Sequence, residues 1–212
     1  GPVLSLRPEG APTWHMPERC PSCDSPVIRE EGEVAYRCIS IDCPAQALER
    51  LLHWASRGAM DIDGMGEEIV SRLVESGRLT DVADYYTLDE VELSLVDMGR
   101  VNKEGEPIRL GSTVAKKLVA AIDGSRARPF SRALFGLGIR HVGKTIAELL
   151  AAAYPSIEAL MEASEEDLAA IDGVGPKIAR SVYLFLRTPD NAAVIERLRK
   201  RGVAMADEAA DP

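Results

Sequence analysis

The sequence predicts a mainly α-helical chain with a small metal-binding module near its N-terminus. Apolar residues make up 46% of the 212 residues and aromatic residues only 5%, which favours helices packed on helices over a β-sandwich. All four cysteines fall within one short stretch, and a glycine turn followed by a helical pattern recurs four times after it. The length suits one large or two small domains.

The first fifteen residues predict one short strand and a Pro/Gly turn, in "GPVLSLRPEG". Because a lone strand is not stable, we expect residues 1–15 to pair with the cysteine module or to continue a preceding domain. The chain begins with Gly-Pro rather than Met, which suggests a piece of a longer protein. No apolar run approaches the roughly 18 residues of a membrane span, and no leader argues for secretion.

Residues 16–47 are expected to form the metal module. The spacing is C-x2-C-x14-C-x4-C, at Cys20, Cys23, Cys38 and Cys43. Each close pair supplies two thiolates, and the loop between the pairs can fold back to complete a tetrahedron. One Zn²⁺ per chain suits four sulfurs and leaves no open position, so the site is predicted to be structural. The alternative is a pair of disulfides, which are rare in the reducing compartment that we expect here.

Between the cysteine pairs, "SPVIREEGEVAYRC" predicts a β-hairpin around Glu31-Gly32. His15 and His53 lie nearby, but four sulfurs already fill the metal shell, so we interpret both as surface or packing residues. From about Ala45 the pattern is helical almost to the end, and we expect the acidic tail at 207–212 to be frayed.

Four glycines each open a helical pattern, with two polar or turn residues, a β-branched residue and a small apolar residue after the glycine: Gly66, Gly111, Gly143 and Gly175. Three copies are preceded by matching turns, "IDGMG", "IRHVG" and "IDGVG". The copies form two pairs, at about 48–125 and 126–206, within a helical region of 48–206.

The two pairs have the same register. Gly66 and Gly143 are 77 residues apart, as are Thr87 and Ser164, which begin the capping-box-like starts T-L-D-E and S-E-E-D. The second copy is delayed by 13 residues because of the polar stretch 98–109. We interpret this stretch as an inserted loop, so the second copy is expected to keep only its helix.

A glycine turn before a helix can bind an anion. Glycine permits unusual backbone conformations and close approach, while the helix start offers unpaired N–H groups and the positive end of the dipole. We call each glycine turn with its helix start an anion seat. Four such seats suit the regularly spaced phosphates of a nucleic-acid backbone. The net charge is −9, yet residues 95–145 hold ten Lys/Arg against four Asp/Glu, and 174–201 hold seven against two. For charge alone, solvated helix faces explain these segments equally well.

We predict that the turns and helix starts contact DNA through Gly64, Gly66, Gly111, Ser112, Thr113, Lys116, Gly138, Arg140, His141, Gly143, Lys144, Thr145, Gly173, Gly175 and Lys177. The first copy carries Glu67 and Glu68 and is the least suited to phosphate. No aromatics for stacking and no recognition helix are evident, so binding is expected without sequence preference. The alternative is that the glycines only make compact corners between helices.

The stretches "LFGLGIRHVGKTIAELLA", "IDGMGEEI" and "IDGVGPKIARSV" resemble helix-hairpin-helix motifs. A four-cysteine finger followed by four such motifs, in two pairs, resembles the central and C-terminal region of bacterial NAD⁺-dependent DNA ligase. The opening "GPVLSLRPEGA…WHMPERCPSC" resembles the passage from the OB domain of that family into its zinc finger. The resemblance implies a cytoplasmic monomer that acts in replication and repair. With the adenylation, OB and BRCT domains of the same ligase, it would encircle nicked double-stranded DNA and grip the minor groove.

The nucleophile of this family lies in a Lys-x-Asp-Gly motif. The three Asp-Gly pairs here are preceded, two positions earlier, by Asp61, Ala121 and Ala170 rather than lysine. The resemblance therefore implies a noncatalytic portion, without its own NAD⁺ site, of an enzyme that activates a 5′-phosphate with AMP. Two alternatives stay open: a stand-alone DNA-structure-binding module of a repair nuclease or junction complex, and a helical scaffold for protein partners.

Overall fold

The computed structural model describes residues 8, 10, 15–29, 32, 34–40 and 43–207. The strand predicted within residues 1–10 and nearly all of the acidic tail lie outside these residues. Among the described residues, strand β1 (Val27–Arg29) pairs antiparallel with β2 (Tyr36–Cys38), with Ile28 opposite Arg37. The hairpin predicted between the cysteine pairs is therefore confirmed.

In the part of the chain that the structure describes, ten α-helices follow this hairpin: α1 (Ala47–Ala55), α2 (Glu67–Glu75), α3 (Glu90–Ser94), α4 (Ser112–Ser125), α5 (Phe130–Gly136), α6 (Lys144–Ala153), α7 (Ile157–Glu162), α8 (Glu165–Ala169), α9 (Pro176–Arg187) and α10 (Pro189–Lys200). Two 3-10 turns, Pro44–Gln46 and Val82–Thr87, precede α1 and α3. No helix among the described residues is both long and apolar enough to cross a membrane.

Four helix pairs pack against each other: α1 with α2, α3 with α4, α5 with α6, and α8 with α9. They are the four helix-hairpin-helix copies. Each second helix buries one face at helical spacing; in α9 the buried residues are Ala179, Val182, Phe185 and Leu186. The predicted mainly helical class, with a cysteine module ahead of paired motifs, is confirmed.

One hydrophobic cluster runs through all four copies. It begins at Ala47 in α1, continues through Trp54, Tyr85 and Phe130, and reaches Met205 after α10. The side chains of Trp54, Tyr85 and Phe130 are fully buried. The two pairs of motifs therefore share a core.

The stretch 98–109 is not a loop. Strand β3 (Asp97–Val101) pairs antiparallel with β4 (Pro107–Arg109), and the side chain of Asn102 closes the turn between them by accepting hydrogen bonds from two backbone amides. The expectation of a helical pattern almost to the end is wrong at this point. Helix α3 packs on α4, so the second copy keeps both helices, and the prediction that it keeps only one is also wrong.

Thr87 and Ser164, predicted as equivalent helix starts, differ in the structure. Ser164 and Asp167 form the predicted capping box at α8. Thr87 instead ends the preceding 3-10 turn, where its hydroxyl donates to the Asp84 carbonyl. Asp89 caps α3 by accepting from the amide of Glu92, 2.8 Å away. The prediction for Thr87 is wrong because a second good capping residue lies two positions later.

Polar contacts join the first pair of motifs to the end of the chain. Arg197 on α10 places a guanidinium nitrogen 2.5 Å from the carboxylate of Asp81, whose side chain is 3% exposed. Arg126 at the end of α4 donates to the carbonyl of Arg201. Burial raises the pKa of Asp81, while the amide of Ala83 and the charge of Arg197 act in the opposite direction.

Candidate metal centre and nucleic-acid interface

The four cysteine sulfurs lie within 4.8 Å of one another. The Sγ atoms of Cys20 and Cys43 are 3.8 Å apart, and those of Cys23 and Cys38 are 3.5 Å apart. Bonds of about 2.3 Å to a tetrahedral zinc ion would place sulfurs about 3.8 Å apart, whereas a disulfide needs about 2.05 Å. The thiols are free, so the arrangement fits a metal site and contradicts the alternative of two disulfides.

A tight turn brings the first two cysteines together. The amide of Asp24 donates to the carbonyl of Cys20 at 2.8 Å, and the amide of Cys20 donates to the carbonyl of Ser25 at 2.9 Å. Asp24 takes a left-handed conformation, with φ 58°, which Asp tolerates better than most residues. The sequence "CPSCDS" therefore folds so that two sulfurs face one point.

Burial and mutual contact shift the pKa values of the cysteine thiols. Burial raises the pKa of Cys38 to about 12 and also raises the pKa of Cys43. Although burial would raise the pKa of Cys23 as well, hydrogen bonds with Ser25 and the neighbouring thiols lower it to about 7. Neighbouring thiolates repel one another, so four of them persist together only around a positive ion.

The cysteine module packs against the N-terminal end of α10. The Asp190 carboxylate accepts hydrogen bonds from the hydroxyls of Ser25, at 3.0 Å, and Ser40, at 3.4 Å. The side chain of the buried Asn191 donates to the carbonyl of Ile39 at 3.3 Å. Since Ser25 and Ser40 come from different cysteine pairs, Asp190 fixes both halves of the module against the helical region.

The three short turns of the helical region share one geometry. The residue at the middle of each turn is left-handed, with φ 83° at Gly64, 64° at His141 and 84° at Gly173. The same backbone hydrogen bond closes all three turns: Met65 to Ile62, Val142 to Ile139 and Val174 to Ile171. The second of these turns, which belongs to the third helix-hairpin-helix copy, therefore adopts the common conformation with a histidine where the others have glycine.

Within each pair of motifs, the left-handed glycine of one copy packs on a helix of the other. A Cβ atom at Gly64 would lie 3.0 Å from Leu118 of α4, and a Cβ atom at Gly173 would lie 2.9 Å from Leu149 of α6. These contacts hold the turn of the first copy beside the helix of the second, and the turn of the fourth copy beside the helix of the third.

The glycines directly before the helices behave differently. Gly66, Gly143 and Gly175 have φ of −85°, −82° and −75°, which any residue adopts. Gly111, before α4, has a positive φ of 82°. The conformational freedom of glycine is therefore used at Gly111 but not at the other three positions. A Cβ atom at any of the four would have no atom of the described residues within 4 Å, apart from its neighbours in the chain. The space in front of these helix starts is open.

The helices after these glycines begin without a side-chain cap. No side chain caps α2, α4, α6 or α9, and the same is true of α1, α5 and α10. Asp89, Ser156 and Ser164 cap α3, α7 and α8. The first N–H groups of an uncapped helix are left to solvent or to a ligand. Helix α9 offers fewer of them, because its first residue, Pro176, has no N–H.

The structure places the predicted contact residues in the turns and in the first two turns of the helices that follow. Gly111 and Arg140 are half-buried; the exposed ones are Gly64, Gly66, Ser112, Thr113, Lys116, Gly138, His141, Gly143, Lys144, Thr145, Gly173, Gly175 and Lys177. These residues are therefore accessible to a binding partner. The Nζ atom of Lys144 lies 5.9 Å from the centroid of the Phe135 ring.

The negative charge of the first helix-hairpin-helix copy is partly neutralised by a nearby cation. Glu68 pairs with Arg100 of β3, with a nitrogen–oxygen distance of 3.1 Å.

His53, interpreted as a packing residue, lies against Phe135, and its Nε2 atom is hydrogen-bonded to the Phe135 carbonyl at 2.8 Å. Arg29 and Arg37 of the cysteine hairpin line cavities shared with α9. No sequence pattern predicts this, because the hairpin and α9 are more than a hundred residues apart.

Comparisons with known proteins agree with this arrangement. Residues 19–45 match the family of the NAD-dependent DNA ligase C4 zinc finger domain, and residues 132–195 match the helix-hairpin-helix motif family. Proteins named DNA ligase are similar to the chain over nearly all of its length. The relative from Acidobacterium capsulatum is 43% identical over 95% of the chain, that from Chlorobium luteolum 43% over 99%, and that from Rubrobacter xylanophilus 44% over 95%.

The chain covers only 28%, 30% and 28% of the length of these three relatives, respectively. The resemblance to a zinc-finger and helix-hairpin-helix segment of NAD-dependent DNA ligases is nevertheless confirmed, because both parts match in the predicted order.

Proposed function

We propose that the chain is the DNA-binding segment of an NAD-dependent DNA ligase and that it holds duplex DNA by its phosphates, from the minor-groove side, without sequence preference. One observation carries this proposal. Four helices begin at glycines that have open space in front of them and no side-chain cap. Backbone amides at such starts bind anions, and phosphodiester groups supply anions at regular intervals.

The cations near these seats support the same proposal. Lys144 begins α6, Lys177 lies in the first turn of α9, and Lys116 and Lys117 lie one turn into α4. Phosphate contacts of this kind orient a protein on DNA but carry no base information. The seats after Gly111 and Gly143, which offer both amides and lysines, are proposed to bind more strongly than the seat after Gly66, where Glu67 and Glu68 are exposed.

The metal centre is proposed to be structural. Cys20, Cys23, Cys38 and Cys43 would supply all four ligands of one zinc ion, leaving no position for a substrate or a water molecule. The proposed division of the chain is 1–15 as the end of an OB domain, 16–47 as the zinc finger, 48–206 as the helix-hairpin-helix domain and 207–212 as a tail.

The parent enzyme is proposed to seal single-strand nicks. It would activate the 5′-phosphate with AMP from NAD⁺, and the 3′-hydroxyl would then displace AMP. This segment lacks the Lys-x-Asp-Gly nucleophile, so it would contribute by holding the duplex and setting its geometry. The remaining domains of the same ligase are its proposed partners.

Titrating a nicked duplex with the chain at increasing salt concentrations tests the binding proposal. Phosphate-driven affinity should fall linearly on logarithmic axes, with a slope of about −0.9 for each phosphate contact. Absence of binding at low salt, or an affinity that does not change with salt, would favour a protein-interaction scaffold instead.

A second measurement separates a ligase segment from a stand-alone DNA-binding module. The chain would be rejoined to ligase domains from a relative, and NAD⁺-dependent sealing of the nick would be followed. Sealing that depends on this chain supports the ligase assignment. DNA binding without any support of sealing favours the stand-alone module.

A further inference from the structure

We propose that Gly58 is a positioning residue for DNA binding: it leaves the space in which the side chain of Lys144 is held, and Lys144 contacts a phosphate from there. Gly58 lies in the loop after α1, in the first helix-hairpin-helix copy, whereas Lys144 begins α6 of the third copy. The inference rests on the proposed function, in which Lys144 binds phosphate, and extends it to a residue outside the anion seats.

The side chain of Lys144 lies directly over the backbone of Gly58. A Cβ atom added to Gly58 would lie 2.7 Å from the Cε atom and 3.1 Å from the Nζ atom of Lys144. Carbon atoms that are not bonded to each other pack at about 3.5–4.0 Å, so any other residue at this position would displace the lysine. Gly58 is not among the left-handed glycines of the described residues. Glycine is therefore needed here for space rather than for backbone conformation.

Phe135 of α5 forms the other side of this space. The distance from the Lys144 Nζ atom to the ring centroid suits a cation–π interaction, and a Cβ atom at Gly58 would lie 3.1 Å from the Cε1 atom of the same ring. The ring is itself held by His53, with 4.7 Å between the two ring centroids. The ammonium group is thus held between a loop of the first copy and a helix of the third.

Arg132 of α5 fixes the loop that carries Gly58. Its guanidinium group donates hydrogen bonds to the carbonyl of Ala59, at 2.6 Å, and to the carbonyl of Arg57. Because these bonds join the first and third copies, the space under Lys144 is formed before any ligand binds. A lysine that is already ordered loses less side-chain entropy on binding than one that moves freely.

The same residues line a small pocket with a positive surplus. The pocket has a volume of about 200 Å³, and its charged lining consists of Arg57, Arg132 and Lys144 against Glu148. Lys144 directly follows Gly143, so a phosphate bound at that anion seat would lie next to the pocket. The position that Gly58 allows therefore keeps the ammonium group where the proposed ligand binds.

The test is a double-mutant cycle in the 212-residue chain, with the affinity for a nicked duplex measured at about 0.1 M salt. Gly58→Ala should lower the affinity about two- to fivefold, because the added methyl group displaces the ordered lysine. Lys144→Gln should lower it about three- to tenfold and reduce the salt slope by about 1. The double variant Gly58→Ala/Lys144→Gln should bind as Lys144→Gln does.

The matched control is Gly124→Ala, which adds the same methyl group at an exposed position in α4 and should leave the affinity unchanged. Urea unfolding would be measured for every variant. If Gly58→Ala does not fold, the same cycle would be run with Phe135→Leu, which removes the aromatic face that holds the ammonium group. The effect of Phe135→Leu should also disappear in the Lys144→Gln background.

The outcomes distinguish this inference from the proposed function. A loss of affinity in Gly58→Ala that disappears without Lys144 supports the positioning role. A loss of the same size with and without Lys144, or no loss at all, overturns that role while the proposed function stands. Equal affinities of Lys144→Gln and the unchanged chain would overturn it as well. Failure of the unchanged chain to bind DNA would overturn both the inference and the proposed function.

Discussion

Glycine occurs in the short turns for two different physical reasons, two positions apart. Gly173 is left-handed, and a Cβ atom there would lie 2.9 Å from Leu149. Gly175 has an ordinary extended conformation and open space around it. The first glycine is required by the fold, while the second leaves a surface uncovered. Substitution can therefore separate stability from binding within a single turn.

Gly143→Ala should weaken DNA binding and leave the fold intact. The backbone conformation at Gly143 suits alanine, and the added methyl group would have no atom of the described residues within 4 Å, apart from its chain neighbours. The methyl group would project into the space proposed for a phosphate. We expect the affinity for nicked duplex to fall roughly three- to tenfold, about 0.7 to 1.4 kcal/mol, with the urea midpoint nearly unchanged.

Two substitutions serve as controls for Gly143→Ala. Gly124→Ala adds the same methyl group at an exposed position inside α4 and should leave binding unchanged. Gly173→Ala should destabilise the chain by about 1–2 kcal/mol, because it combines a positive φ with the Leu149 contact. Unaltered affinity in Gly143→Ala would contradict the proposed role of the open glycines.

At the scale of elements, the cysteine module and the helical region draw their stability from different sources. The hydrophobic cluster begins at Ala47, the last residue of the module, and includes none of the described residues before it. The module is held by its cysteine cluster and by hydrogen bonds to α10. Losing the metal should therefore unfold one element and not the other.

Cys20→Ala, or treatment with a strong chelator, should release the metal and unfold residues 19–43, while most of the helical circular dichroism remains. Removing one thiolate from a four-sulfur site leaves an incomplete shell, and the binding free energy of the metal is also folding free energy for the module. Metal analysis and limited proteolysis, compared with the unchanged chain, are the measurements. A Cys20→Ala chain that retains one metal ion would refute the four-cysteine assignment.

The elements differ in how far the sequence predicts them. The cysteine hairpin follows from ligand spacing, and the copies at Gly66, Gly143 and Gly175 follow from a repeated turn pattern. The β3–β4 hairpin was not predicted, because its strands are short and the polar residues around Gly105 are typical of a loop. The cavity between the cysteine hairpin and α9 was not predicted either: Arg29 and Arg180 line it together, and no local pattern relates residues so far apart in the sequence.

At the scale of the whole molecule, an ion pair links the first pair of motifs to the last helix. Asp81 is almost fully buried, whereas the side chain of Arg197 is 45% exposed. The cost of losing this pair falls on Asp81, because a buried carboxylate without its partner cannot hydrate, while Arg197 can.

Arg197→Gln should lower the unfolding free energy by roughly 2–4 kcal/mol at pH 7. Without Arg197, the pKa of Asp81, already raised by burial, would rise further, so ionisation would oppose folding more strongly. The deficit should be nearly absent below the ordinary Asp pKa of about 3.9 and should grow as pH rises through the folded-state value.

Urea unfolding of the variant and the unchanged chain between pH 3.5 and 7 measures this difference. The control is Arg199→Gln, which loses only half-exposed ion pairs and should cost about 0–1 kcal/mol, with little dependence on pH. A deficit of equal size at both ends of the pH range would show that Asp81 does not titrate as its burial requires.

The continuous core also has a mechanical consequence. Because one hydrophobic cluster runs through both motif pairs, we expect the four helix starts to move together rather than to tilt independently. If the chain binds duplex DNA as proposed, any misfit would then be absorbed by the double helix, which is stiff over about 150 base pairs when both strands are intact. A break in one strand removes much of that stiffness locally. A rigid protein surface of this kind would therefore bind nicked DNA in preference to intact duplex, because the nicked duplex bends more easily.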